Sequence, residues 1–223
     1  MDSLTQLVAA NVLFVLSHFA MSHPLRAPMV RALGDKGFMG VYSLVSLGLF
    51  AWIVVAFRAV GPSPAPAGNA AWIVASLLTV VATALLIGSF KGNPALPDTS
   101  VDAVARAEAT GAFAVTRHPM MWAIALWGAA HLAAWPSART LVTAGAMVVL
   151  ALVGSHLQDR KKQVLLGAAW HGWEAKTSYW PRLGKLGALG AGPWIGGTAL
   201  WLAATWAHEW AAGMPAGVWR WVG

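Results

Sequence analysis

Six long apolar stretches, divided by short polar segments, constrain this chain of 223 residues more than any motif in it. They cover residues 4–22, 40–60, 70–90, 119–135, 140–157 and 189–211. A helix needs roughly 17–25 apolar residues to cross a hydrocarbon core ~30 Å thick. Lipid satisfies no backbone N–H or C=O group, so an open chain crosses it as helices. The pattern therefore predicts an all-α fold, a polytopic transmembrane helical bundle of about six spans. One integral membrane domain accounts for residues 1–223. Composition points the same way: 58% of the residues are hydrophobic and 10% charged, where a soluble domain carries about a quarter charged. Fourteen tryptophans against two tyrosines suit a protein anchored at two membrane interfaces. The first stretch follows Met1-Asp2 with no basic segment before it. It is expected to be a retained helix, not a cleaved signal.

The net charge of +7 does not indicate nucleic acid, because the basic residues lie between the apolar runs. Arg26, Arg31, Lys36, Lys91, Arg106, Arg117, Arg160, Lys161, Lys162, Lys176, Arg182 and Lys185 fall in three alternate loops. Arg58, Arg139 and Arg220 fall toward the other side. The positive-inside rule then places both termini outside the cytoplasm. In a Gram-negative bacterium the chain would be a multi-pass inner-membrane protein with periplasmic termini. Gly61-Pro-Ser-Pro-Ala-Pro-Ala-Gly68 reads as a turn-rich link. Residues 99–111 carry charges at helical spacing. Residues 161–176 interleave Val164, Leu165, Trp170 and Trp173 with charges, which predicts an amphipathic helix on the cytoplasmic interface.

Ionisable groups within a span are functional candidates by default, and seven histidines are present. His18 lies in the first span, on one face with Asn11, Val15 and Ser22. It is either a ligand or a hydrogen-bonded packing group. His131 lies late in the fourth span, with Gly128 a turn before it. A glycine there admits either a flat group or another helix. His118, in Thr116-Arg-His-Pro119, stands at a helix start, where proline loses no hydrogen bond. Arg117 and His118 suit a carboxylate or propionate, or else are a basic loop charge and a cap residue. His23, His156, His171 and His208 read as interfacial. No cysteine is present, which excludes disulfides and thiolate sites. Paired carboxylates, phosphate loops and zinc-spaced clusters are missing too.

The run Gly111-Ala-Phe-Ala-Val-Thr-Arg-His-Pro-Met-Met-Trp-Ala-Ile-Ala-Leu-Trp-Gly-Ala-Ala-His131 closely resembles the signature of the NnrU family. So do His18 with Ser22 and Arg26, Tyr42-Ser-Leu-Val-Ser46, Asp159-Arg-Lys-Lys162, Trp170 and Lys176-Thr-Ser178. The resemblance implies a bacterial membrane protein that supports nitrite and nitric oxide reduction in denitrification, by a redox or maturation role. The family's plant and cyanobacterial relatives are 15-cis-zeta-carotene isomerases that use haem b. A haem-dependent cis–trans isomerase acting on a lipophilic polyene is thus the alternative. The resemblance implies haem b iron held by His18 and His131; Arg26, Arg31 or Arg117 would then pair with its propionates, and Gly128 and His118 complete the candidate cofactor residues. It also implies the lipid bilayer and a redox partner or polyene as partners. In the isomerases a cysteine precedes the second histidine by three residues; here Gly128 stands in its place. A more distant likeness, carried by Arg117-His118-Pro119, is to membrane isoprenylcysteine carboxyl methyltransferases, which use S-adenosylmethionine. They carry acidic residues where this chain has Arg160-Lys-Lys162.

Depth tests the ligand pair. His18 is near one end of its span and His131 near the opposite end of its own. At ~1.5 Å per residue they differ in depth by roughly 10–15 Å. His118 matches the depth of His18 better, but His118 and His131 point to nearly opposite helix faces.

Overall fold

The computed structural model describes residues 1–61, 66–96 and 99–222. Half of the proline-rich link, residues 62–65, lies outside the described residues. The described chain is helical: α1 Ser3–Ser22, α2 Arg26–Ala59, α3 Asn69–Gly88, α4 Val101–Ala105, α5 Ala112–Val115, α6 Pro119–Ala134, α7 Ala138–Leu166 and α8 Ala168–Lys176. A 3₁₀ turn over Leu183–Leu189 leads into α9 Ala191–Ala212, and α10 Trp219–Val222 ends the chain.

Local chemistry sets the helix starts. Asp2 caps α1 by accepting from the Thr5 N–H at 2.9 Å. Pro119 opens α6 from its first position. Ser137 caps α7, accepting from the Thr140 N–H at 3.2 Å and pairing with its hydroxyl at 2.8 Å. Replacing a capping serine by alanine costs about 1 kcal/mol. Ser137→Ala is accordingly expected to lower the thermal midpoint in detergent measurably, and an unchanged midpoint would mean that this cap is redundant.

Among the described residues, four helices are long and apolar enough to cross a membrane: α1, α2, α3 and α7. The expected fourth span, α6, is apolar but has 16 residues, about 24 Å at 1.5 Å per residue. It is cut between Pro119 and the Trp135-Pro136 break. The expected sixth span, α9, is long enough at 22 residues. Its Gly192, Pro193, Gly196, Gly197, His208 and Glu209 make it less apolar. Of the about six expected spans, four are full-length apolar helices by length and composition, and α6 and α9 pack beside them.

The helices pack in the order α2, α1, α7, α6, α3, α9, each against the next. α2 and α9 stand at the two ends and leave large apolar side chains uncovered, among them Leu44, Leu47, Ile195 and Trp210. Lipid is the natural cover for such faces. Within α2, Gly34 breaks the helix with φ 70° and ψ 169°, so Arg31 lies on a separate short piece before the break.

Helix directions follow from cross-helix contacts. Asn11 meets Thr143, and Phe19 lies beside Gly154, so α1 and α7 run parallel. Arg117 and His118 meet Asp159, and Gly128 meets Ala144 and Val148, so α6 and α7 run antiparallel. Both chain termini lie on the face opposite Arg117 and His118. Arg58, Arg139 and Arg220 share that face. Arg139 stacks on Phe57 and Trp135, and Arg220 on Trp72.

Of the expected interfacial helix over residues 161–176, residues 161–166 continue α7 with Val164 and Leu165 exposed, and residues 168–176 form α8 after a turn at Gly167 (φ 52°). Its apolar face is not offered to lipid. Trp170 and Trp173 are 0% and 1% exposed and pack with Ala95, Val104 and Phe113. α4, α5 and the 93–96 loop cover the side of α8 that carries the two tryptophans.

Candidate functional site

The most elaborate polar arrangement lies at the start of α6. Residues 115–117 run beside residues 178–182: the Arg117 N–H donates to the Ser178 carbonyl at 2.8 Å, and the Arg182 N–H to the Val115 carbonyl at 2.9 Å. The Tyr179 carbonyl accepts from the Thr116 hydroxyl and from the Trp122 indole N–H, both at 2.8 Å. These bonds clamp the extended segment that delivers Arg117 and His118.

Asp159, from α7, receives both. Its Oδ1 lies 2.8 Å from His118 Nε2. Its Oδ2 lies 2.8 Å from Arg117 Nε and 2.7 Å from Arg117 Nη2. Charge-assisted bonds of this length are the strong class. The His118 side chain is 1% exposed and that of Asp159 5%. Glu174 of α8 stands 3.7 Å from Arg117 Nη2 and accepts from Gln163 at 3.0 Å. Tyr179 roofs the group: its ring lies edge-on to His118 at 5.7 Å and beneath Arg117 at 5.6 Å. Its hydroxyl donates to the Leu152 carbonyl at 2.6 Å and lies 2.9 Å from Ser155 Oγ.

With Nε2–H given to Asp159, the neutral His118 ring carries its lone pair on Nδ1. That atom is buried and has no hydrogen-bond partner. Buried polar atoms are nearly always satisfied, so an orphan needs a reason. A cavity of about 200 Å³ borders the ring, lined also by Asn93, Leu96, Met120, Met121 and Gln158. An imidazole oriented by a carboxylate at one nitrogen, with a free lone pair at the other, is a general-base arrangement.

The remaining expected site residues are dispersed. His18 Nδ1 lies 2.7 Å from the Phe14 carbonyl, and its ring stands edge-on to Tyr42 of α2 at 5.4 Å. Asn11, on the same face, turns instead to α7 and is 2% exposed. Arg26 stacks on Phe38 at 5.5 Å. His131 Nδ1 lies 2.8 Å from the Trp127 carbonyl. Gly128 does not face an open cradle: a Cβ there would meet Val148 Cγ2 at 2.6 Å and the Ala144 carbonyl oxygen at 3.1 Å. The glycine serves the α6–α7 contact.

The helix α7 serves as a ruler for depth. Phe19 of α1 meets Gly154, and Gly128 of α6 meets Ala144. Those levels are 154 − 144 = 10 residues apart, about 15 Å along the helix. His18 and His131 stand close to these two levels, on helices that flank α7 from different sides. One iron atom does not reach both, so a single haem ligated by His18 and His131 does not fit this arrangement. Among the described residues no group of three or more His, Asp or Glu side chains gathers as a metal site.

Asp159, Tyr179 and Glu174 were not foreseen as site residues. Asp159 was legible only as the one acid before Arg160-Lys-Lys162; the fifth span seemed to end at residue 157, and α7 carries it two residues past that end.

The cluster sits within the stretch that carries the sequence signature, and the family comparison covers it. A family model described as NnrU protein matches residues 6–216. The chain belongs to the NnrU family. No curated protein and no solved structure matches it. The NnrU match takes in five of the six helices of the packed row in full, and α1 from its fourth residue. The buried Arg117–His118–Asp159 cluster therefore belongs to the NnrU region itself.

Proposed function

We propose that this NnrU family member lies in a bacterial inner membrane and supports nitrite and nitric oxide reduction, with His118 as its working base. The observation that carries the site is the orphaned, buried Nδ1 of His118 beside a cavity, in a ring held by Asp159. The positive-inside rule puts this end of the bundle in the cytoplasm and both termini in the periplasm. The cavity, about 200 Å³, falls below the ~300–1,000 Å³ of sites for drug-sized ligands. It suits a small polar molecule from which His118 takes a proton.

Deletion of the gene in a denitrifying host is expected to slow nitrite and nitric oxide consumption, and the wild-type chain to restore it. His118→Gln should fall short of that restoration by roughly a hundredfold if His118 moves a proton. Full rescue by His118→Gln removes the site; no defect on deletion removes the role.

A second reading keeps haem b, and one observation favours it. His18 and His131 each have Nδ1 beside a carbonyl one turn back, leaving Nε2 free. Metal-ligating histidines are oriented in this way. Such a haem would use one of the two, and the isomerase alternative would depend on it. An absorption spectrum of the purified protein, with each histidine replaced in turn, decides which.

A further inference from the structure

A second pair of imidazoles meets on the face opposite the Arg117 cluster. His131 of α6 and His208 of α9 have ring centroids 6.2 Å apart, with planes inclined at 43°. Each ring is held by a carbonyl oxygen. His131 Nδ1 lies 2.8 Å from the Trp127 carbonyl, and His208 Nδ1 lies 3.2 Å from the Met214 carbonyl. A carbonyl only accepts, so both Nδ1 atoms carry the hydrogen and both Nε2 atoms carry a lone pair.

Two such rings side by side have nothing to give one another. Neither Nε2 is a donor, and two protonated rings this close would repel. A metal ion between them would take both lone pairs. Metal–imidazole bonds are about 2.0–2.1 Å, so two rings bound through Nε2 have centres about 5.3 Å apart at a tetrahedral angle and about 6.4 Å apart when opposed across the metal. The observed 6.2 Å is close to the opposed arrangement.

The holders are themselves fixed. Trp127 packs its ring 4.2 Å from that of His131. Met214 follows the left-handed Gly213 that closes α9 (φ 71°), and its side chain packs with Trp72, Ala130 and Ala134. Orientation of a ligand by an outer partner is what raises metal affinity.

We infer that His131 and His208 form a two-imidazole site for a transition metal, either a divalent ion or the iron of a tetrapyrrole. Imidazole favours zinc, copper, nickel and iron. No third carboxylate or imidazole joins the pair among the described residues, so water or macrocycle nitrogens complete the coordination. The site is independent of the His118 base. For a tetrapyrrole it replaces His18 by His208 as the partner of His131.

The test uses the whole chain in detergent, stripped with chelator and given one equivalent of Cu²⁺. Electron paramagnetic resonance of the wild type is expected to show coupling to two imidazole nitrogens. That reading needs no substitution. His131→Gln and His208→Gln should each lose the two-nitrogen pattern and bind Cu²⁺ roughly tenfold or more weakly. His171→Gln, on the exposed side of α8, should behave as wild type. A parallel arm grows cells with added haem and records absorption. A Soret band lost in both His131→Gln and His208→Gln assigns the metal as tetrapyrrole iron at the same pair. One nitrogen or none in the wild type without such a band, or a signal that survives His208→Gln, overturns the site.

Discussion

Asp159→Ala is expected to be the most damaging single change on the half of the molecule that carries Arg117 and His118. The substitution strands His118 and the Arg117 guanidinium, whose side chains are 1% and 13% exposed. Removing one partner of a buried ion pair costs about 3–5 kcal/mol, because the other charge stays buried and uncompensated. Glu174, at 3.7 Å from Arg117, recovers only part of this. The loss should appear as a large drop in thermal midpoint and faster amide exchange at the start of α6. Asp159→Asn, which keeps the size and one acceptor, should lie between the alanine variant and wild type. A midpoint for Asp159→Ala within a degree or two of wild type would show that the cluster is not formed in the membrane protein.

Gly197→Val is expected to separate α9 from α3. A Cβ at residue 197 would lie 2.6 Å from both the backbone N and Cα of Ala84, and 2.9 Å from the Thr83 carbonyl carbon. These are backbone atoms, with no flexible side chain to move aside. Overpacking of this sort costs typically about 1–3 kcal/mol for a few added methyl groups, and more where backbone must shift. α9 would lose the bond from Trp201 Nε1 to the Thr79 hydroxyl, now 2.9 Å, and carry His208 away from His131. Two measurements therefore move together: protease cleavage before residue 191 increases, and the two-nitrogen copper signal disappears. Gly192→Val supplies the control, because nothing lies within 4 Å of a Cβ there. Equal stability of the two variants would refute the close α3–α9 contact.

These two predictions differ in how far the sequence alone reached them. The apolar lengths were local sums, and they located the helices to within a few residues, the start of α2 and the end of α7 apart. Lipid leaves an apolar chain no alternative to helix, so length and composition sufficed. Pro119 similarly announced the start of α6, since a proline at a helix's first turn is a local preference. The uneven distribution of Lys and Arg survived into the fold because it depends on which loops share a side.

Pairing did not follow from the sequence. Arg117 and His118 were read as a place for a foreign carboxylate, and the carboxylate turned out to be Asp159, about forty residues on. Gly128 was read as room for a flat group or a helix, and the helix took it. His18 and His131 were joined by resemblance, yet they stand at different depths on helices that flank α7. His208 was set aside as interfacial, yet it is the histidine that His131 meets. Membrane helices gain little from hydrophobicity in choosing neighbours, since lipid is as apolar as leucine. Close backbone approach at small residues and interhelical hydrogen bonds make that choice. Composition and periodicity therefore determined that this chain is a helical membrane protein and where its helices run. The order α2, α1, α7, α6, α3, α9, set by contacts between residues far apart in the chain, decided which polar side chains share a site.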